Sequence, residues 1–292
     1  MIASLYIGSK TFTYNGSDTD LEVFTKLVEL QDLMNRLKNS PDNIFYVNSE
    51  DLVLTQLLGD GSTINDIVSC KREINRDVFN LFLLFFGVCT SVKLNFDDLL
   101  EYLTLEDEDN CNAIVVFNRI EELPKNNQVI SNIEGWLHFR RFYLGRYPKS
   151  TEYFITECSK YYDKLVIHPD NRNWMKKISK SHSQKLVKYL AALNDHLTDD
   201  LKLSRDDYPE FLNSFRIKYE LDGASLEGKK DEKFNFLFYE NTSNEFMAYC
   251  ESHLKIYKDD KEEPGHCRIY FRKPDKNIES PLIFVGYIGE HL

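Results

Sequence analysis

Residues 246–292 read FMAYCESHLKIYKDDKEEPGHCRIYFRKPDKNIESPLIFVGYIGEHL. Apolar and polar residues alternate over 253–257, 267–272 and 282–288, which predicts three strands. Turn-forming stretches at 258–265 and 274–281 separate them, so an antiparallel meander is the simplest arrangement. Successive side chains of a strand face opposite ways. Arg268, Tyr270 and Arg272 therefore share a face opposite Cys267, Ile269 and Phe271, while His253 and Lys255 share one opposite Leu254 and Ile256. Three of the seven histidines, His253, His266 and His291, fall in this stretch. Imidazole, ammonium, guanidinium and phenol groups on neighbouring strands suit the handling of phosphate.

Working outward, residues 233–239 (KFNFLFY) alternate strongly, and 216–221 alternate ahead of a turn at Asp222-Gly223. Residues 206–292 are thus expected to form a β-rich C-terminal domain. Residues 128–205 read as a helical region of aromatic and basic character, with Trp136, His138, Phe139, Arg140, Arg141 and Phe142 in close succession. Between 172 and 193 stand Arg172, Lys176, Lys177, Lys180, Lys185 and Lys188, without an acidic residue. Together with Arg140 and Arg141 they are candidates for nucleic-acid contact, or else the solvated face of a helix whose other side is core. Residues 1–127 mix strands at 2–7, 11–14, 43–47 and 113–117 with helices at 21–37, 51–58, 64–74, 78–90 and 96–105. The expected class is α+β: a mixed N-terminal domain, a helical middle and an antiparallel β-rich C-terminal unit.

Composition narrows the function. The 292 residues are 42% hydrophobic and 28% charged, as in folded domains with substantial cores. Acidic residues outnumber basic ones, 47 to 36, and the net charge of −11 repels nucleic acid and anionic lipid at long range. That argues against a general coating of DNA and confines any such contact to a local basic patch. The six cysteines form no CxxC pair, and no HxH, HExxH or carboxylate cluster appears, so no metal site and no cofactor are expected. The longest apolar run, 78–92, falls short of the roughly 20 residues of a membrane span and predicts a buried core helix. The opening residues lack a signal-peptide pattern, and a cytoplasmic protein without membrane contact is expected.

The Lys/His strand, the HCRIYF strand and the last strand with its aromatic-Gly-x-His type of ending, here Tyr287-Ile288-Gly289-Glu290-His291, resemble in that order the RelE/ParE-type toxins, above all the YoeB and HigB branches. The likeness covers the last fifth of the chain. The RIYF and GYIGEHL motifs are also similar to those of bacterial proteins associated with phage defence. The resemblance implies messenger-RNA cleavage without a metal, in which a 2′-hydroxyl attacks the adjacent phosphate. It implies His291 or Glu290 as acid or base, Lys255 and Arg268 as electrostatic stabilisers, and Tyr270 at a matching position, with His253 and His266 in reserve. Two further readings stand beside it. One is a non-catalytic subunit of a multi-protein defence complex, binding a protein partner, a second copy of itself, or nucleic acid. The other is a metal-dependent nuclease, because Asp222 with Glu227-Gly228-Lys229 spells a D…ExK pattern.

Overall fold

A computed structural model describes residues 2–12, 14, 16–47, 56, 58–69, 80, 87, 89–105, 107–117, 126–177, 182–228, 231–241, 244–257, 267–278 and 281–292. The protein is α+β and comprises two compact units, Met1–Arg140 and Arg141–Leu292. Among the described residues no helix is long and apolar enough to cross a membrane.

The first unit is built on β1 (Ala3–Ile7), β2 (Asn43–Val47), β3 (Thr90–Val92), β4 (Cys111–Val115) and β5 (Val129–Ile130). All pair in parallel, in the order β3-β2-β1-β4-β5. Parallel neighbours need long crossovers, and helices supply them. Helix α1 (Asp20–Lys38) starts at a capping box in which Thr19 and Glu22 satisfy each other's backbone amides. Its Val23, Leu27, Leu30, Met34 and Leu37 recur at helical spacing and are buried. Helix α2 (Ile64–Ser69) follows, and then α3 (Phe96–Thr104), whose Leu99 and Leu103 pack on Tyr6, Val47, Ile114 and Val116. Asp42, just ahead of β2, is fully buried; it accepts hydrogen bonds from Arg140 Nη1 (2.8 Å), Trp136 Nε1 (3.1 Å) and the Ala3 amide (3.1 Å). Strand order reverses between β1 and β4. There the Phe117 amide bonds to the Thr11 carbonyl (3.0 Å) and Phe12 stacks on Phe117 (5.7 Å), beyond the carboxyl ends of the two strands.

Two expectations change here. The strand expected at 11–14 is a 3₁₀ turn, Ser9–Phe12, because Thr11 bonds back to the Gly8 carbonyl through both its amide and its hydroxyl. The helix expected at 78–90 gives way at Thr90 to β3; most of its residues lie outside the described ones, and 80 and 87, which do not, are helical. The helix expected at 51–58 is described only at 56 and 58, where Gln56 forms an isolated bridge with Thr63 instead.

The boundary between the units falls inside α4 (Ile133–Arg146). The second unit continues with α5 (Thr151–Tyr161), β6 (Leu165–Ile167), α6 (Asn171–Trp174), α7 (Ser183–Leu203) and α8 (Tyr208–Lys218). Then come β7 (Gly223–Leu226), β8 (Asn235–Asn241), β9 (Asn244–Tyr249), β10 (Ser252–Ile256), β11 (Cys267–Phe271) and β12 (Ile283–Gly289). The main sheet has the order β6-β12-β11-β10-β7, antiparallel except for the β6–β12 pair. The expected meander is therefore β10-β11-β12. The β8–β9 hairpin is an excursion between the neighbours β7 and β10. The stretch 216–221, expected as a strand, instead ends α8: Asp207 caps that helix, Phe211, Leu212 and Phe215 are its buried stripe, and Glu220 turns the chain at φ 52°. Nor is 172–193 one helix, since α6 and a 3₁₀ turn at Met175–Lys177 precede a separate α7.

Strand β12 carries a bulge. Tyr270 pairs with Tyr287 but Phe271 with Val285, which leaves Gly286 as the extra residue and brings Phe284 and Tyr287 to one face. Asn171, fully buried on α6, satisfies the disturbed ladder: its Nδ2 donates to the Gly286 carbonyl (3.2 Å) and its Oδ1 accepts from the Ile288 amide (2.7 Å). Phe236 of the hairpin lies against Gly286, where an added Cβ would meet its ring at 2.3 Å. Gly286→Ala is expected to destabilise the protein by about 1–3 kcal/mol through this overlap. The cost should shrink in a Phe236→Leu background, and equal costs in the two backgrounds, measured by urea unfolding, would refute the contact.

Candidate functional site

The polar face of the meander meets β7 at Glu227. This residue follows the last β7 position, and its amide bonds to the Glu251 carbonyl (3.2 Å) where the hairpin excursion leaves and rejoins the sheet. Its side chain reaches back over the sheet, and four groups gather on Oε1. Arg268 Nη1 lies at 2.9 Å, the Tyr270 hydroxyl at 3.2 Å, His253 Nδ1 at 3.5 Å and His291 Nε2 at 3.9 Å. Arg268 Nη1 also donates to the Tyr270 hydroxyl (3.1 Å).

Register explains the gathering. Tyr270 pairs with His253 on one side and Tyr287 on the other, and His253 pairs with Ser225, so one row crosses four strands. Arg268 stands one step along the same face. Tyr270 is fully buried under Phe234, whose ring stacks on it at 5.5 Å. Burial raises the Tyr270 pKa, against the lowering effect of the Arg268 hydrogen bond, so the phenol stays a donor. His253 is 2% exposed, and its Nε2 lies 2.9 Å from Ser225 Oγ. With Ser225 donating to Nε2, the proton sits on Nδ1 and points to Glu227 Oε1 and to the Glu251 carbonyl at 3.4 Å.

Access divides the cluster. Tyr270 and His253 are enclosed and act by holding Glu227. The side chains of Arg268, Glu227 and His291 are 17%, 21% and 54% exposed, so these three can meet a ligand. Arg268 Nε is itself buried and has no hydrogen-bond partner among the described residues, so the exposed part of the guanidinium is its Nη end. The cluster offers a carboxylate, an imidazole and a guanidinium around one point, a set suited to proton transfer beside a charge-stabilising cation.

The other expected residues lie elsewhere. Lys255 runs along Gly223 at the opposite end of β7 from Glu227, Glu290 is exposed, and His266 lies outside the described residues. Asp222 and Glu227 flank the two ends of β7, about 16 Å apart at roughly 3.3 Å per strand residue. They do not share one ion; Asp222 instead accepts from the Tyr257 amide (2.7 Å). Among the described residues no group of three or more His, Cys, Asp or Glu is placed to hold a metal ion.

Of the basic candidates, Arg140 is fully buried against Asp42, and Arg141 is fixed by Asp195 (2.6 Å) and the Tyr161 carbonyl (2.6 Å). Lys185 donates to the Tyr257 carbonyl (2.6 Å), and Lys188 to the Glu220 carbonyl (2.9 Å). Arg172 and Lys176 are exposed, Lys180 lies outside the described residues, and the placement of Lys177 is described for its backbone alone. Glu227 is the member that sequence reasoning took only for a metal pattern. The missing signal was β7 itself, because Gly-Ala-Ser-Leu has neither β-branched nor aromatic residues.

No protein-family model, curated protein or solved structure matches the chain.

Burial, reinforced by the Arg268 charge and opposed by Glu227, lowers the His253 pKa from 6.5 to about 4. The unfolded chain then takes up a proton that the folded one refuses. Stability is complete above pH 6.5 and falls as the pH drops toward about 4. This one group should account for roughly 3 kcal/mol of that loss. A His253→Gln variant is expected to lose correspondingly less stability than wild type across that window in urea titrations. Parallel losses would show that His253 is not held neutral.

Proposed function

We propose that the second unit cleaves single-stranded RNA by metal-independent transesterification, as the effector of a bacterial defence or toxin-like system acting in the cytoplasm. The observation that carries this reading is the approach of Arg268 and His291 to Glu227 Oε1, at 2.9 and 3.9 Å, on the accessible edge of the sheet. The Glu227 carboxylate takes the proton of the RNA 2′-hydroxyl, whose oxygen attacks the adjacent phosphorus. Arg268 stabilises the charge of the phosphorane. His291, in its protonated form, gives a proton to the 5′-oxygen as the P–O5′ bond breaks. The products are a 2′,3′-cyclic phosphate and a 5′-hydroxyl.

The arriving phosphate takes the place of Glu227 on Arg268, which frees the carboxylate to act as base. Tyr270 and His253 keep that carboxylate aimed. The order of motifs resembling the RelE/ParE-type toxins supports the same chemistry, with Arg268 and His291 at matching positions. In this role the first unit serves for contact with a protein partner or a second copy of the chain.

The test is a cleavage assay on a labelled single-stranded RNA in excess EDTA. Wild type is expected to cut RNA and to leave DNA of the same sequence intact, because DNA lacks the nucleophile. Glu227→Gln, Arg268→Ala and His291→Ala should each reduce kcat by about 10²-fold or more. Absence of EDTA-resistant cleavage by wild type, or full activity in all three variants, would overturn the reading. RNA binding without any cleavage would favour the non-catalytic subunit.

A further inference from the structure

We propose that Trp174 and Tyr287 form a shelf on which a base of single-stranded RNA stacks beside the acid–base cluster, an inference that takes the ligand class from the function just proposed. A line of rings leads from the cluster across the sheet: His253 to Tyr270 (5.0 Å), Tyr270 to Tyr287 (6.0 Å), Tyr287 to Trp174 (5.0 Å) and Trp174 to His168 (5.7 Å). The first two rings are enclosed. Tyr287 and Trp174 are half-buried, so the line reaches solvent there.

The shelf is held in place from both sides. Asn171 bonds to the backbone on either side of Tyr287, at Gly286 and Ile288, and Trp174 follows it one turn later on α6. His168 lies parallel to the indole, at an interplanar angle of 8°, and Phe236 meets it edge-on at 6.1 Å. An aromatic surface fixed in this way loses little freedom on binding and accepts any base, since every base has a π-face.

Charge points to the same ligand. Arg172 and Lys176 flank Trp174 in sequence and are exposed. The Arg172 ion pair with Glu152, at 3.3 Å with both side chains more than half exposed, is weak enough in water to be exchanged for a phosphate. In a chain with 47 acidic residues against 36 basic ones, two exposed cations within two residues of a half-buried indole suit a polyanion with an aromatic base. The base would lie on the shelf and its phosphate beside Arg268, which stands one step along β11 from Tyr270, the neighbour of Tyr287 in the row.

The experiment separates the shelf from the catalytic reading. The chain has two tryptophans, so Trp136→Phe leaves Trp174 as the only indole reporter. A 2′-O-methyl single-stranded RNA octamer cannot supply the attacking hydroxyl and therefore reports binding alone. Its titration is expected to quench Trp174 fluorescence saturably, whereas a duplex of the same sequence should not. Because Trp136→Phe removes a bond to Asp42 and could impair folding, anisotropy of the labelled octamer is measured in parallel on otherwise wild-type protein. Trp174→Ala and Tyr287→Ala should each weaken binding about tenfold or more, and Trp174→Phe and Tyr287→Phe should largely preserve it. Binding of the octamer with Trp174 silent and both alanine variants unaffected would overturn the shelf, and so would no binding at all. Quenching without cleavage of unmodified RNA would keep the shelf and refute the catalytic reading. Cleavage lost in His291→Ala but indifferent to Trp174→Ala would do the reverse.

Discussion

The second unit depends on the approach of Phe236 to Gly286. A strand in the interior of a sheet ordinarily presents a side chain at every position. At this one the space belongs to a ring from another layer, so only glycine fits. The extra residue breaks the ladder, and the two backbone groups it exposes are taken by the Asn171 amide. The consequences run in both directions from the bulge. Phe284 and Tyr287 come to the same face and receive the hairpin, and the hairpin in turn brings Phe234 over Tyr270. Without that roof the tyrosine that holds Glu227 would be open to water.

Electrostatics sets how the cluster can work. Two partly buried charges, Glu227 and Arg268, compensate each other, and a third charge would go unpaired. Burial first, and the neighbouring Arg268 charge second, hold His253 neutral against the pull of Glu227, and it donates to Glu227 as a dipole. In the proposed mode the same balance would govern entry of a ligand. A phosphate diester would bring one negative charge to Arg268 and replace the carboxylate there, so the guanidinium would keep an anionic partner throughout. In the proposed reaction Glu227 then gains a proton as the substrate loses one, and the local charge stays constant up to the phosphorane.

Much of this was legible in the sequence, and what was not has definite physical causes. Alternation over CRIYF placed Arg268 with Tyr270, and alternation over SHLKI placed His253 with Lys255; the pairing of His253 with Tyr270 brings the two sets to one face. The helical spacing of apolar residues over 21–37 announced α1. Glu227 was hidden because the strand before it, Gly-Ala-Ser-Leu, has no β-branched or aromatic residue to signal it by pattern. The stretch 216–221 misled because a helix end can alternate over a few residues by chance, while the cap at Asp207 and the stripe through Phe211 and Phe215 decide its state. The basic residues misled for another reason. An arginine in sequence shows its charge but not its partner, and Asp42 and Asp195, 98 and 54 residues from Arg140 and Arg141, had already claimed them.

The loss of those arginines and lysines from the list of accessible cations changes what kind of binding the protein can support. Phosphate contacts draw their strength from released counterions, and each one steepens the dependence on salt. An acidic chain in which Arg140, Arg141, Lys185 and Lys188 are tied to its own carboxylates and carbonyls has less of that strength to offer. Stacking does not depend on net charge in this way. In the proposed mode, RNA would be held by a base on Trp174 and Tyr287 and by few phosphates, one of them on Arg268. Such a site is weak on the long, uniform backbone of a duplex, where the bases are already stacked on one another, and strong where a single strand turns one base outward. The acidity that argued against a general nucleic-acid coat therefore favours this narrower use of the sheet.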